Sequence, residues 1–284
     1  MSHMPSPQPV KNLISSFKCE YPIERKVRDT KSFEEYADEA TSWSFSGWDF
    51  SVFNDRIINE PEPWDYSKMA KELSGKAGSM LDIGTGGGEV LSTLGPFPSM
   101  TCATEGFPPN VPVASKRLTP LGIHLVQTYC DENWRAVQHG NMPFSSNSAQ
   151  LIVDRHESFV ASGIERILKP GGTFLTQQVG NLHRHELNDF LNAPQKTPNW
   201  NLKEAMRQVS SAGLTVTSSG EARFMAVFRD IGAVIGYLRM APWQIMDFEI
   251  SLYRERLVEL DRQIRKNGGF ETYNHIFFVK AEKR

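Results

Sequence analysis

The run LDIGTGGGEV, residues 81–90, constrains this chain more than any other ten residues. An apolar stretch leads into it as a strand would, and four glycines then fall within five positions. Glycine has no Cβ, so the backbone at Gly84, Gly86 and Gly88 can turn tightly, approach a ligand and aim amide N–H groups at it. The expectation is a strand, a ligand-cradling loop and a helix opening at Glu89, with a nucleotide-type cofactor as the guest. By itself such a string is weak, because glycine-rich turns occur in many folds.

The surrounding text supplies the fold. Short apolar runs (SMLDIG, TCATE, HLVQTY, QLIVD, GTFLTQQV) alternate with helical patterns over 110–121 and through SFVASGIERIL. That alternation is the pattern of βαβ units and a parallel sheet. In the second helix Val160, Ile164, Ile167 and Leu168 share a face, and LKPGG turns the chain into the next strand. Further on, helices are expected over 202–212, 231–239 and 251–266, strands over 214–217 and 222–228, and a terminal strand in TYNHIFFVKA.

Glu105 adds a second constraint on the ligand. It ends the run TCATEG 21 residues after Gly84, near the roughly 20-residue spacing at which an acid grips ribose hydroxyls in open α/β sheets. An ionised carboxylate can accept from both hydroxyls. The competing reading is a solvated acid at a helix start.

Composition removes several classes. With 39% hydrophobic and 23% charged residues the chain is globular, and a net charge of −2 gives no general attraction for nucleic acid. Cys19, Cys102 and Cys130 form no CxxC pair, so a disulfide framework and a zinc site are both unexpected, and a reducing cytoplasm fits. No stretch reaches the roughly 18 apolar residues of a membrane span. Residues 1–10 read as a disordered tail with a tag remnant, SHM. Residues 11–71 read as an aromatic-rich cap with a helix near 32–42, not a second core. Residues 72–284 read as the main domain, with a helical lid insertion around 230–268.

Four segments, LDIGTGGGEVL, ATEGFPPNVPVASKRL, HGNMPFSSNSAQLIVDRHESF and ERILKPGGTFLTQQV, resemble in order and spacing the successive motifs of class I S-adenosylmethionine-dependent methyltransferases. The resemblance covers about 80–179. It implies a Rossmann-like, doubly wound, mainly parallel seven-stranded sheet with an antiparallel last strand, and S-adenosylmethionine as cofactor; no metal is expected, because the chain has no Cys/His cluster with ligand spacing and its acids are scattered. It also implies roles. Asp82 holds the methionine end, and Gly84, Thr85, Gly86 and Gly88 line its carboxylate and sulfonium. Glu105 takes the ribose. Gly106, Phe107, Asn141 and Met142 border the adenine, and Gln138 stands where an aspartate commonly accepts from the adenine amino group. Asp131 is an alternative to Gln138.

DRHESF puts Arg155, His156 and Glu157 beside the sulfonium end in such a fold. Arg155 is expected to contact the cofactor. His156 is the general-base candidate because its ordinary pKa lies near neutrality, and Glu157 either orients it or starts a helix. Gln177, Gln178 and Asn181 end the fifth strand at the same edge. Trp48, Asp49, Trp64, Arg239 and Trp243 are candidates for an acceptor pocket closed by segments 48–66 and 242–248; packing of a fixed cap is the competing reading. No [DNS]PP[YFW] string follows the fourth strand, which argues against amino-methylation of adenine or glutamine. A small-molecule acceptor is the leading expectation. RNA or protein is the alternative, on Lys116, Arg117, Arg184 and the run RERLVELDRQIRK.

Overall fold

The computed structural model describes residues 31–43, 50–128, 142–194 and 199–284. The tail, Cys19, Cys130, Asp131, Gln138, Asn141, Trp48 and Asp49 lie outside the described residues.

The chain enters through α1 (Phe33–Ser42), which a capping box starts: the Glu35 amide donates to Ser32 Oγ, and the Glu35 carboxylate accepts from the Ser32 amide. A short strand β1 (Ile57–Asn59) and α2 (Tyr66–Ser74), capped by Asp65, complete the first part. Then follow β2 (Ser79–Ile83), β3 (Met100–Glu105), α3 (Asn110–Leu118), β4 (His124–Gln127), β5 (Ala149–Arg155), α4 (Ala161–Ile167) and β6 (Leu168–Val179). The last part comprises α5 (His185–Leu191), α6 (Leu202–Ser211), β7 (Leu214–Phe228), α7 (Ile231–Met240), α8 (Ile250–Asn267) and β8 (Phe270–Lys283).

All eight strands form one sheet in the order β1-β7-β8-β6-β5-β2-β3-β4. Neighbours from β6 to β4 are parallel, and β8 is antiparallel to both β6 and β7. The seven strands with an antiparallel last member are therefore present. An eighth, β1, comes from the segment read as cap and pairs antiparallel with the edge of β7. The two strands expected over 214–228 are one strand, bulged between Val216 and Ser218.

The period-two alternation of the strands decides which face each residue serves. Leu81, Ile83, Ile152, Phe174 and Phe277 pack with Ala161, Ile164, Ala205 and Val209 of α4 and α6. Met80, Leu151, Val153, Leu175 and Phe278 pack on the other side with Tyr66, Ala70, Ala114 and Leu118 of α2 and α3. Both faces are covered, as a parallel sheet requires.

One expectation fails directly after the glycines. The helix from Glu89 is replaced by a single 3-10 turn, Leu91–Thr93. Ser92 Oγ donates to the Glu89 carbonyl at 2.9 Å and Thr93 Oγ1 to the Val90 carbonyl at 2.7 Å. Such local hydroxyl bonds compete with helix formation, the glycines before them disfavour it, and Pro96 bars its continuation.

The cap is joined to the insertion by a core of its own. Phe33, Tyr36, Ala40 and Phe53 pack with Ile231, Val234, Ile235 and Leu238 of α7 and with Leu257, Leu260 and Ile264 of α8. Every residue of α7 except Arg239 is buried. Inside this core the Arg56 guanidinium donates to both oxygens of Asp230, with Nε to Oδ2 at 2.8 Å. It also lies over the Trp43 ring at 4.8 Å. Asp230 in turn caps α7, accepting from the Ala233 amide. Among the described residues no helix is long and apolar enough to cross a membrane.

Removing Asp230 would take away the bidentate partner of the buried Arg56 charge, leave it only Glu39, whose Oε2 lies 3.3 Å from Nη1, and strip α7 of its cap. Asp230→Ala is therefore expected to lower unfolding stability by about 3 to 5 kcal/mol. A denaturant titration checks this, and a change below about 1 kcal/mol would show that Arg56 does not depend on Asp230.

Candidate active site

The glycine turn is pinned between β2 and β3 by one residue. Thr104 accepts from the Gly84 amide on its hydroxyl at 3.1 Å and from the Thr85 amide on its carbonyl at 2.8 Å. Gly84, Gly86 and Gly88 all have left-handed backbone, φ 65°, 62° and 78°. A side chain at Gly84 would also collide with Glu157, whose Cγ lies 2.4 Å from where a Cβ would stand. At Gly88 the obstacle is Leu118, 2.9 Å away.

Because β2, β3 and β5 run parallel and in register, their carboxyl ends bring acids together. Asp82 and Glu105 are buried at 8% and 6% exposure, Asp154 is fully enclosed, and Glu157 lies over Gly84. Burial pushes the Asp82 carboxyl up to about 7, with the Glu105 charge adding. Burial likewise raises Glu105 to about 7, and Glu157 adds to that; the Phe107 amide, donating to Oε1 at 2.7 Å, opposes it. Asp154 is raised well above the carboxylate range by burial and then by Glu157. It accepts from the Glu157 amide at 3.1 Å and from Gln178 Nε2 at 3.2 Å. Burial raises Glu157 as well.

Beside the acids, β5 ends in Arg155, and His156 follows it. His156 has left-handed backbone, φ 68°, a conformation costly for a residue with a Cβ and one that clusters at functional sites. Its amide donates to the Gln177 carbonyl at 2.8 Å, continuing the β5–β6 ladder. Its Nε2 stands 3.2 Å from Gln177 Nε2, and Gln177 Oε1 accepts from Trp64 Nε1 at 2.6 Å. Burial, then the Arg155 charge, pushes the imidazole down to about 3.

Trp64 belongs to a strap, 60–66, that crosses this edge from β1 to α2. Glu60 pairs with Met225 of β7, and Glu62 Oε1 lies 3.8 Å from Arg155. Trp64 packs edge-on against Phe278 at 5.0 Å. Tyr66 ends the strap with a buried hydroxyl near Asp82 and Asp154; burial first, then those acids, raises its pKa. Glu62, Tyr66 and Asp154 were not singled out in the sequence. For Glu62 and Tyr66 the signal was EPEPWDY, where Pro61 and Pro63 exclude a helix before Tyr66.

The remaining candidates scatter. Gly106 and Phe107 follow Glu105 at the β3 end, and Met142 is buried against α4. Asn181 lies just past β6, its amide donating to the Trp200 carbonyl at 2.8 Å. Arg239 donates to the Ala40 carbonyl and so turns toward α1. Trp243 is 46% exposed on the α7–α8 connection. Among the described residues no group of three or more His, Cys, Asp or Glu has an arrangement that could hold a metal.

No protein-family profile matches the chain, and no curated protein does either. Solved structures do match. A candidate methyltransferase from Bacillus halodurans C-125 is 15% identical, with TM-score 0.54, over 77% of this chain and 98% of that one. The YcgJ protein of Bacillus subtilis is 16% identical, with TM-score 0.52, over 77% and 97%. A protein of unknown function from Deinococcus radiodurans R1 is 14% identical, with TM-score 0.52, over 88% and 100%. Identities this low speak to architecture: the chain has the Rossmann-like fold of class I methyltransferases.

Proposed function

We propose that the chain is an S-adenosylmethionine-dependent methyltransferase acting on a small-molecule acceptor. The observation that carries this reading is the convergence of Asp82, Glu105, Asp154 and Glu157 on a glycine turn that opens no α-helix. A dinucleotide would bring two phosphate charges to that turn. It would meet carboxylates and find no helix N-terminus to receive it. A ligand carrying a sulfonium and an ammonium suits the same acids, because its positive charge offsets the cost of keeping them ionised out of water.

In this reading Glu105 accepts from the ribose hydroxyls, and Asp82 faces the methionine ammonium directly or through water. The amides around Gly84, Thr85, Gly86 and Gly88 receive the methionine carboxylate. Gly106, Phe107 and Met142 border the adenine. The cofactor, when bound, supplies an electrophilic methyl group. The chain's own task is to hold the acceptor in line with it and exclude water. We assign that task to the strap 60–66, with His156, Arg155 and Gln177 beneath it.

A small acceptor is favoured over RNA by how the basic residues are used. Arg117 donates to Glu89 and the Gly87 carbonyl, and Arg184 is buried over Tyr237 at 4.4 Å. On α8, Arg254, Arg262 and Arg265 pair with Glu34, Glu259 and Asp261. Cys102 is a free thiol, which suits a reducing cytoplasm. Incubation with methyl-labelled cofactor and fractionated cell extract tests the acceptor class. Label is expected in small molecules; label in RNA or protein would overturn that part of the reading.

Two binding measurements test the cofactor site itself. Glu105→Ala is expected to weaken S-adenosylmethionine binding about ten- to a hundredfold by calorimetry, the loss of about 1.5 to 3 kcal/mol of charge-assisted hydrogen bonding. Unchanged affinity would remove Glu105 from the site.

The second concerns pH. Asp82 and Glu105 each titrate at about 7, and the ligand prefers both ionised. Affinity should therefore be full above pH 8 and fall as pH drops through 7, by about tenfold per group at pH 6. Affinity constant between pH 6 and pH 8 would rule out these carboxylates as cofactor contacts.

A further inference from the structure

We propose that Trp64, acting through Gln177, holds His156 as a neutral imidazole with its proton on Nδ1, so that His156 meets the acceptor as a hydrogen-bond donor. The inference rests on the methyltransferase reading only for the identity of what His156 faces. The chain of bonds stands on this structure.

Indole Nε1 can only donate. At 2.6 Å from the Gln177 amide it must face the oxygen, because the reverse orientation would set two donors against each other. The Gln177 amide is thereby fixed, with its NH2 turned the other way. Its two hydrogens have two acceptors within reach: His156 Nε2 at 3.2 Å and Glu62 Oε2 at 3.4 Å. His156 Nε2 must then accept, and an imidazole that accepts on Nε2 carries its one proton on Nδ1. Gln177 is fully buried, so no water competes for these bonds.

A charged imidazole is excluded by the same arithmetic, since it would present N–H to the Gln177 NH2. Of the charged groups around His156, Arg155 disfavours a second positive charge, Glu62 is shared by Gln177 and Arg155, and Glu157, the next residue, lies over Gly84. Among the described residues Nδ1 has no partner. An Nδ1–H offered to the active site binds a lone pair. The acceptor class this selects presents a carbonyl or ionised oxygen to His156, and His156 does not remove its proton. Gln177 and Trp64 are positioning residues in this scheme, acting on the acceptor through His156.

The test reads the tautomer directly. With 15N-histidine labelling, two-bond 1H–15N correlation spectra identify which nitrogen of each of the 7 histidines is protonated, and His156→Gln assigns the signal. The expected result is an Nδ1–H tautomer for His156, unchanged from pH 8 to pH 5.5. Gln177→Glu replaces the donor by an acceptor and should move the proton to Nε2. Trp64→Phe frees the amide to rotate and should give a tautomer mixture, and this variant carries the test if Gln177→Glu does not fold. An Nε2–H or titrating His156 in the unaltered protein, or a tautomer indifferent to both substitutions, would overturn the proposal. S-adenosylmethionine titration of the same samples separates the two readings. Failure to bind would strike the methyltransferase assignment, whereas the tautomer is read without ligand.

Discussion

Three parallel strands, β2, β3 and β5, end in register at one edge of the sheet, and each delivers a carboxylate there that water cannot fully reach. Keeping several such groups ionised together is unfavourable, since each loses hydration and each repels the others. Asp82 and Glu105 are held near 7 for that reason. The fold keeps them close because Thr104 ties the turn after β2 to β3, and because a glycine at position 84 lets Glu157 lie directly over the turn. The site is thus poised: its acids are uncomfortable in one another's company, and a cation relieves them.

The cap contributes to this edge through its strap, and the strap is held at both ends. β1 joins the sheet beside β7, and Tyr66 begins the helix that covers the opposite face from α4 and α6. Upstream, Arg56 is locked to Asp230 under Trp43, which makes the cap and α7 one packed unit. A strap anchored in this way can fix the Gln177 amide. A freely moving flap could not, because the 2.6 Å indole bond requires Trp64 to stay where it is.

Much of the cofactor half was legible in the sequence because it depends on local signals. Short apolar runs wrote β2, β3 and β5, the glycines wrote the turn, and the position of Glu105 at a strand end wrote its place as an edge residue. Less legible was whatever depended on competition or on distant pairing. The helix after Glu89 had the right place in the pattern, but Ser92 and Thr93 satisfied the local carbonyls instead. β1 is three residues long and exists only because β7 offers an unpaired edge, so no periodicity could announce it. Arg239 and Trp243 were nominated by their aromatic, proline-punctuated surroundings, and those surroundings belong to the cap's own core and its surface.

His156 illustrates the limit most sharply. Residue type and place nominate it as a base, since a free imidazole titrates near neutrality at the edge where chemistry would occur. Its behaviour, however, is set by a neighbour's neighbour. The indole of Trp64 can only donate, Gln177 can do both, and the order in which they meet leaves His156 Nε2 as the acceptor at the end of the line. The proposed cofactor side of the site is governed by charge, on strands β2, β3 and β5. The proposed acceptor side is governed by hydrogen-bond direction, on β6 and the strap. His156 stands where the two meet, neutral beside Arg155 and the acids. That neutrality keeps a second cation away from the place where a sulfonium is proposed to sit.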